Sequence, residues 1–354
     1  MRDKIITFIF IIFIFAFSIG GIILNDKEIS FSERRKLQTF PSFEFNSEYV
    51  TKLDKYFLDH FPLREKFRSI KALFNYKVLN KLDNNSIYLK DNYIFKSEYP
   101  TNKESISKFV NRVNSFKEDL SDNNNVFVMI IHDKNYYLDD TNFLNIDYDY
   151  IYNEVSKLDA NFIDIRDVME LDDYYETDTH WKQERLDKVI RIMSSVMNFQ
   201  YKSFEYKENV YDKFYGVYYG ESAVNRKPEK LTYLTSNIFN SLKVEYLENK
   251  FLSSIYSLDK LDGLDGYDVF LDGASSFIEI YNDNSTTSRE LIIFRDSFGS
   301  SITPLLTPYY KKITLIDNRY ISRKDYLNLV DFTNQDVLFM YSTLIVNNSG
   351  SLKG

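Results

Sequence analysis

The run LIIFRDSFGSSITPLL, residues 291–306, opens with a continuous apolar stretch, Leu291–Phe294, that predicts a short strand buried on both faces. Arg295-Asp296-Ser297-Phe298-Gly299 follows as a tight turn, and Ser300–Leu306 carries helical character. Downstream, Ile313–Ile316 reads as a strand, Arg323–Val330 as a helix and Val337–Tyr341 as a strand. Upstream, helical spacing over Ser105–Leu120 precedes the apolar run Val126–Ile131, and a short strand near Phe162–Ile165 precedes a helix over Lys182–Met197. Strands that alternate with helices predict an α/β fold, a parallel sheet with helices on both faces. Residues 200–285 are aromatic and irregular, and no element is assigned to them. No internal repeat is visible.

The N-terminal part reads differently. From Ile5 to Leu24 no residue is charged and most are Ile or Phe. At about 1.5 Å per residue this run spans a hydrocarbon core of roughly 30 Å. Arg2 and Lys4, partly offset by Asp3, keep that end cytoplasmic by the positive-inside bias, so the rest of the chain is expected outside the cell. A cleavable signal peptide competes with this, but Ser18-Ile19-Gly20 makes a poor cleavage site with Ile22, Ile23 and Leu24 still to come. An uncleaved single-pass anchor over residues 1–24 is expected. Residues 25–85 form a linker, Glu33-Arg34-Arg35-Lys36-Leu37 to Phe40-Pro41-Ser42-Phe43, and a short helical collar. In the collar, Tyr49, Leu53, Tyr56 and Phe57, and then Phe67, Ile70, Leu73 and Phe74, recur at helical spacing. Residues 86–354 are expected to hold the main domain.

Composition narrows the chemistry. The 354 residues carry 44 Lys plus Arg against 52 Asp plus Glu, a net charge of −8. That argues against a nucleic-acid partner, which is usually met by a basic face. No cysteine is present, which excludes disulfides, thiolate metal sites and a Cys nucleophile. Only His60, His132 and His180 are available as imidazoles. The 29 Tyr and 30 Phe sit in a chain also rich in Asn, Lys and Ile. A/T-rich coding together with core packing explains these aromatics better than a surface for stacking sugars.

Three polar groups fall at predicted strand ends, where ligands of such sheets bind. Ser297 follows its strand at a turn into a helix, which exposes a hydroxyl next to helix N–H groups that can stabilise an oxyanion. The same position suits a plain N-cap. In Thr177-Asp178-Thr179-His180-Trp181, Asp178 and His180 are spaced so that a carboxylate can orient an imidazole base, as a serine nucleophile requires. Here Asp178 or Thr179 serves equally well as a cap for the next helix, with His180 packed on Trp181. His132-Asp133-Lys134 ends the strand Val126–Ile131 and offers a rival base or a substrate-orienting group. His60, in the collar, is read as structural. A metal site of His132, Asp133, Asp178 and His180 lacks HExxH or comparable spacing, so neither a metal nor another cofactor is expected.

Together these blocks resemble the bacterial alginate O-acetyltransferase and DHHW families, which are exported and SGNH-hydrolase-like. The resemblance rests on Glu33, Arg34, Arg35, Leu37, Pro41 and Phe43, on Asp59-His60-Phe61-Pro62-Leu63-Arg64, on Asp133-Lys134, on Thr177–Trp181 and on Arg295–Phe298. It implies an SGNH-like (flavodoxin-like) parallel sheet, Ser297 as nucleophile, His180 as base and Asp178 as its orienter. It further implies acetyl transfer to a surface polysaccharide, with a membrane-bound O-acyltransferase as the partner supplying acetyl groups. The order Asp-His before Ser matches this branch and is reversed relative to ordinary SGNH hydrolases.

The chain departs from the pattern at three places. Thr179 stands where the name DHHW implies histidine, and Arg295 stands where hydrolases of this superfamily usually place glycine. The oxyanion segment is represented by Asp272-Gly273-Ala274-Ser275-Ser276, with Gly273 as its donor. Arg295 either steers an acidic substrate or makes a structural ion pair. Only 57 residues follow Ser297, so grip on a polymer is expected from the catalytic domain or a partner. An acetyl esterase would use the same triad, and a non-catalytic assembly protein of a polysaccharide complex is the alternative of another class. The acidic net charge disfavours a strongly anionic polymer.

Overall fold

The computed structural model describes residues 2–23, 26–138, 142–247, 251–252 and 254–353. The chain divides into two units. One runs to Ile87 and takes in Val217–Lys227; the other holds Tyr88–Gly216 and the chain from Pro228 onward. Val217–Lys227, assigned by sequence to the main domain, thus belongs to the first unit.

The first unit begins with the helix Arg2–Ile23. Its stretch Arg2–Gly21 is long and apolar enough to cross a membrane, a property that signal sequences share. Helix Ser47–Asp59 starts at Asn46, whose side chain accepts from the Tyr49 N–H at 2.8 Å. Its last residue, Asp59, fixes the linker. The Arg35 guanidinium donates to both Asp59 carboxylate oxygens, and the Gln38 N–H donates to Oδ2 at 2.8 Å. The hydrogen bonds from Arg35 hold the Asp59 carboxyl down at about 2. His60 Nε2–H donates to the Gln38 carbonyl at 2.9 Å, so this imidazole also pins the linker. Helix Arg64–Leu73 follows and continues as a π-helical turn, Phe74–Val78.

Among the described residues the second unit is built on an eight-stranded sheet, whose strands we number in chain order. They are β1 (Asn125–Ile131), β2 (Asn161–Ile163), β3 (Leu242–Tyr246), β4 (Phe251–Leu252), β5 (Phe277–Asn282), β6 (Glu290–Arg295), β7 (Lys312–Ile316) and β8 (Asp336–Ser342). Their spatial order is β4-β3-β5-β7-β6-β8-β1-β2. The pairings β7-β6-β8-β1-β2 are parallel.

Between their end residues the parallel strands are largely apolar because both faces are covered. Met129, Ile131, Ile293, Leu338 and Met340 enter the core under helices Asp187–Val196 and Phe298–Leu306. Val128, Ile130, Ile292, Phe294, Val337 and Phe339 enter the opposite core, with helices Lys103–Lys117 and Tyr148–Val155. This is the period of two on a sheet buried on both sides.

The sheet is not parallel across its whole width. β5 pairs antiparallel with β7, and β3 and β4 continue antiparallel to the edge. These strands come from the irregular region left unassigned by sequence. In β3 the buried Leu242, Val244 and Tyr246 alternate with Lys243 and Glu245, the mark of a strand wet on one face. Two predicted helices are also shorter than expected. Lys182–Met197 becomes a 3₁₀ turn, Gln183–Arg185, followed by a helix from Asp187, and Arg323–Val330 shrinks to Arg323–Tyr326. Gln183 is the reason for the first break. Its amide donates to the Ser301 carbonyl at 2.7 Å and accepts from the Leu234 N–H at 2.7 Å, which ties the turn to other elements.

Candidate active site

The turn after β6 is held by Asp296. Its carboxylate accepts from the Phe298 N–H at 3.0 Å and from the Ser342 N–H, at the end of β8, at 2.7 Å. Asp296 thereby caps helix Phe298–Leu306, and Ser297 makes no side-chain cap bond. Ser297 is half-buried, whereas its neighbours from Leu291 to Thr307 are buried. The turn thus presents one hydroxyl toward solvent from an otherwise closed core.

That hydroxyl meets His180. Ser297 Oγ lies 2.8 Å from His180 Nε2, and His180 Nδ1 lies 2.6 Å from Asp178 Oδ1. A carboxylate only accepts, so Nδ1 carries the proton and Nε2 is the acceptor for the serine O–H. Asp178 also accepts from the His180 backbone N–H at 3.1 Å. It therefore orients the histidine, and the Gln183–Arg185 turn has no side-chain cap. Asp178 and His180 are both buried.

The loop that carries them is clamped from several sides. Tyr175 N–H donates to the His180 carbonyl at 3.1 Å and Lys182 N–H to the Asp173 carbonyl at 2.7 Å, closing residues 173–182 into a hairpin. Trp181 is fully buried; its indole donates to Ser301 Oγ at 2.9 Å and packs edge-on against Phe298 at 5.5 Å. The Glu229 carboxylate accepts from the N–H groups of Glu176 (2.8 Å) and Thr177 (2.7 Å) and from the Thr177 hydroxyl. Burial pushes the Glu229 carboxyl up, against these hydrogen bonds. Gly216 is pressed so closely on the loop that a Cβ there would stand 2.2 Å from the Thr177 carbonyl carbon. Tyr267 stacks flat on His180, with ring centroids 3.8 Å apart, and donates to Ser301 Oγ at 2.7 Å.

The other residues singled out by sequence lie elsewhere or do other work. Lys134 is fully buried and its ammonium donates to the carbonyls of Tyr175 and Glu176, each at 2.9 Å, so it positions the loop. Burial pulls its pKa down to about 7, opposed by Glu229 and Asp178. His132 is enclosed: Tyr137 OH donates to Nε2 at 2.7 Å, and Nδ1–H donates to Tyr152 OH at 3.1 Å, which in turn donates to the Ile130 carbonyl. Burial drops its pKa to about 3, so it stays neutral and faces tyrosines rather than a substrate.

Arg295 lies buried beneath the serine turn, where Nη1 donates to Ser300 Oγ at 2.7 Å and to the Asp296 carbonyl at 3.2 Å. It braces the helix start and does not face solvent to steer a ligand. Gly273 has φ +81°, and its N–H donates to the Phe270 carbonyl at 3.3 Å, so that donor closes a turn rather than standing free for an oxyanion. Among the described residues no group of three His, Asp or Glu is arranged to hold a metal ion. Tyr267 and Glu229, which shape the site from residues 200–285, were not visible to sequence reasoning because no element had been assigned around them.

No protein-family model and no curated protein matches the chain. Solved structures do. A DHHW family protein from Eubacterium siraeum DSM 15702 superimposes with a TM-score of 0.63 at 20% identity, covering 77% of this chain and 97% of that one. Bacillus cereus PatB1 with a sulfonyl adduct superimposes with a TM-score of 0.57 at 17% identity, covering 73% of this chain and 97% of that one. The O-acetyltransferase domain of Pseudomonas putida AlgJ is more distant, with a TM-score of 0.44 at 9% identity over 75% of this chain and 93% of that one. The fold of this chain is thus that of the DHHW family protein and of PatB1, and the DHHW family is one of the two that its sequence blocks resemble.

Proposed function

We propose that this chain is an exported O-acetyltransferase that acetylates hydroxyls of a cell-surface polysaccharide through an acetyl-serine. The observation that carries this reading is the hydrogen-bonded relay from Asp178 Oδ1 through His180 to Ser297 Oγ, at 2.6 and 2.8 Å. In the first step His180 Nε2 takes the Ser297 proton as Oγ attacks the acetyl carbonyl. The leaving group departs with the proton that His180 returns. In the second step a sugar hydroxyl gives its proton to His180 and attacks the acetyl-serine, and Ser297 leaves reprotonated. Asp178 keeps the imidazole in the tautomer that both steps need and stabilises the imidazolium. The Ser297 N–H at the helix start is the proposed oxyanion donor; such a donor contributes about 10²–10³ in rate. Base catalysis adds about 10²–10⁴.

The helix Arg2–Ile23 fits a membrane anchor, and the acetyl donor is proposed to be a membrane-bound O-acyltransferase. Expression of Ser297→Ala in place of the native chain tests the function. Loss of ester-linked acetate from the surface polymer, at normal protein levels, is the expected result. Unchanged acetate would leave the chain as an assembly protein instead.

A further inference from the structure

The helix Arg64–Leu73 and its extension to Val78 are amphipathic, but the apolar face points away from the rest of their unit. One face meets the rest of its unit. Ala72 is fully buried, Arg68 donates to the Gly220 carbonyl at 2.9 Å, Ser69 Oγ donates to the Ala223 carbonyl at 2.8 Å, and Tyr76 OH donates to the Ile87 carbonyl at 2.8 Å. The opposite face carries Phe67, Ile70, Phe74 and Val78, of which Ile70 and Val78 are each 60% exposed. A large apolar stripe open to solvent on a helix that already has its packing partner marks a contact surface.

Two observations identify what covers it. The first is charge. Residues 64–82 contain six basic residues and one acidic residue, a net charge of +5 within a chain of −8. Arg64 and Arg68 are engaged by Glu33 and Glu65, which leaves Lys66, Lys71, Lys77 and Lys81 interleaved with the apolar side chains; of these, Lys71 donates to the neutral Asn85 side chain at 3.1 Å. Protein interfaces deplete lysine at their centre, whereas helices lying in a lipid headgroup region combine lysines with large apolar residues. The second is continuity with the apolar N-terminal helix. Phe17 stacks on Phe61 at 5.3 Å and approaches Phe67 at 5.7 Å, and a Cβ on Gly20 would come within 3.3 Å of Pro62. The segment 61–67 therefore packs beside the last two turns of the helix Arg2–Ile23, which is the level at which that helix would leave the hydrocarbon if it spans a membrane.

We propose that the outer face of residues 64–81 lies on an anionic lipid surface, as a second membrane contact beside the helix Arg2–Ile23. Phe67, Ile70, Phe74 and Val78 enter the acyl boundary, and the four lysines meet the headgroup phosphates. The proposal is independent of the acyl-transfer reading, since none of these residues belongs to the Ser297 site.

The absence of cysteine makes the test clean. Full-length protein carrying Ile70→Cys, Phe74→Cys or Val78→Cys is labelled with an environment-sensitive fluorophore and reconstituted into phosphatidylcholine vesicles with or without phosphatidylglycerol. Glu104→Cys, an exposed position in the other unit, is the water-facing reference. With phosphatidylglycerol, the three collar labels should emit to the blue of the reference and be quenched several-fold more by nitroxide-bearing lipid. Omitting phosphatidylglycerol, or combining Lys66→Glu, Lys71→Glu, Lys77→Glu and Lys81→Glu, should weaken that quenching. Collar labels that iodide quenches as well as the reference overturn the proposal. Labels shielded from both iodide and lipid nitroxide also overturn it, in favour of a protein cover. Each position is exposed, so a single variant that misfolds leaves the other two to decide.

Discussion

A serine at a strand-to-helix turn ordinarily gives its hydroxyl to the first free N–H groups of the helix, and here Asp296 does that instead. Ser297 Oγ is left for His180, and Asp178, a cap candidate by sequence, is likewise committed to the imidazole. If this relay works as a unit, Asp178→Asn should cut acetyl transfer by on the order of 10⁴ while leaving the melting temperature nearly unchanged, because the wrong tautomer is then favoured. Steady-state transfer to a model sugar acceptor measures the loss. His132 makes a separate prediction. Its folded pKa of about 3 lies below its ordinary 6.5, so between those values the unfolded chain binds the extra proton and stability falls as the pH drops. His132→Gln keeps a polar partner for the tyrosines without titrating. Its stability should lose a few kcal/mol less than that of the native chain between pH 7 and pH 4. Equal losses in denaturant titrations at the two pH values would contradict the burial argument. Scarcity made these residues legible in the sequence: with three histidines and no cysteine, His180 was the imidazole with both a carboxylate two positions away and a serine turn elsewhere. Tyr267, stacked on that imidazole, was invisible because stacking between distant segments leaves no local pattern.

At the level of elements, the loop that carries Asp178 and His180 owes its shape to contacts that do not touch Ser297. Glu229, at the start of the strand Glu229–Thr235, receives two backbone N–H groups and a hydroxyl from Glu176 and Thr177. Glu229→Leu should strand those donors and lower kcat, with Glu229→Gln restoring part of it, since an amide can still accept. A KM that rises while kcat stays constant would contradict a positioning role. Gly299 is equally constrained: a Cβ there would meet Arg295 Cδ at 2.9 Å and Met340 Cε at 3.0 Å. The parallel strands were legible because burial on both faces makes them continuous apolar runs. β3 and β5 were not, since a single wet face, frequent tyrosines and irregular connections blur the alternation that marks such strands.

Over the whole chain, two segments far apart in sequence build the first unit, which no periodicity could reveal. Residues 217–227 reach it through backbone carbonyls that accept from Arg68 and Ser69, and any residue can supply such a carbonyl. The linker was more readable, because Arg35 and Asp59 are charged partners in two conspicuous blocks. Arg35→Ala should free residues 33–43 and leave a buried carboxylate without its guanidinium, at a cost of about 1–3 kcal/mol. Limited proteolysis should then cut in that linker before it cuts elsewhere. The aromatic abundance also resolves at this scale: tyrosines such as Tyr174, Tyr175, Tyr267, Tyr310 and Tyr341 are core residues. The proposed chemistry rests on one atom, Ser297 Oγ, activated by His180. Its most direct test treats the full-length protein with a sulfonyl fluoride and locates the adduct by mass spectrometry over time. The expected result is a single adduct on the peptide containing Ser297, absent in Ser297→Ala and formed orders of magnitude more slowly in His180→Ala at unchanged melting temperature. An adduct on another residue, or labelling of Ser297 at the native rate without His180, would contradict it.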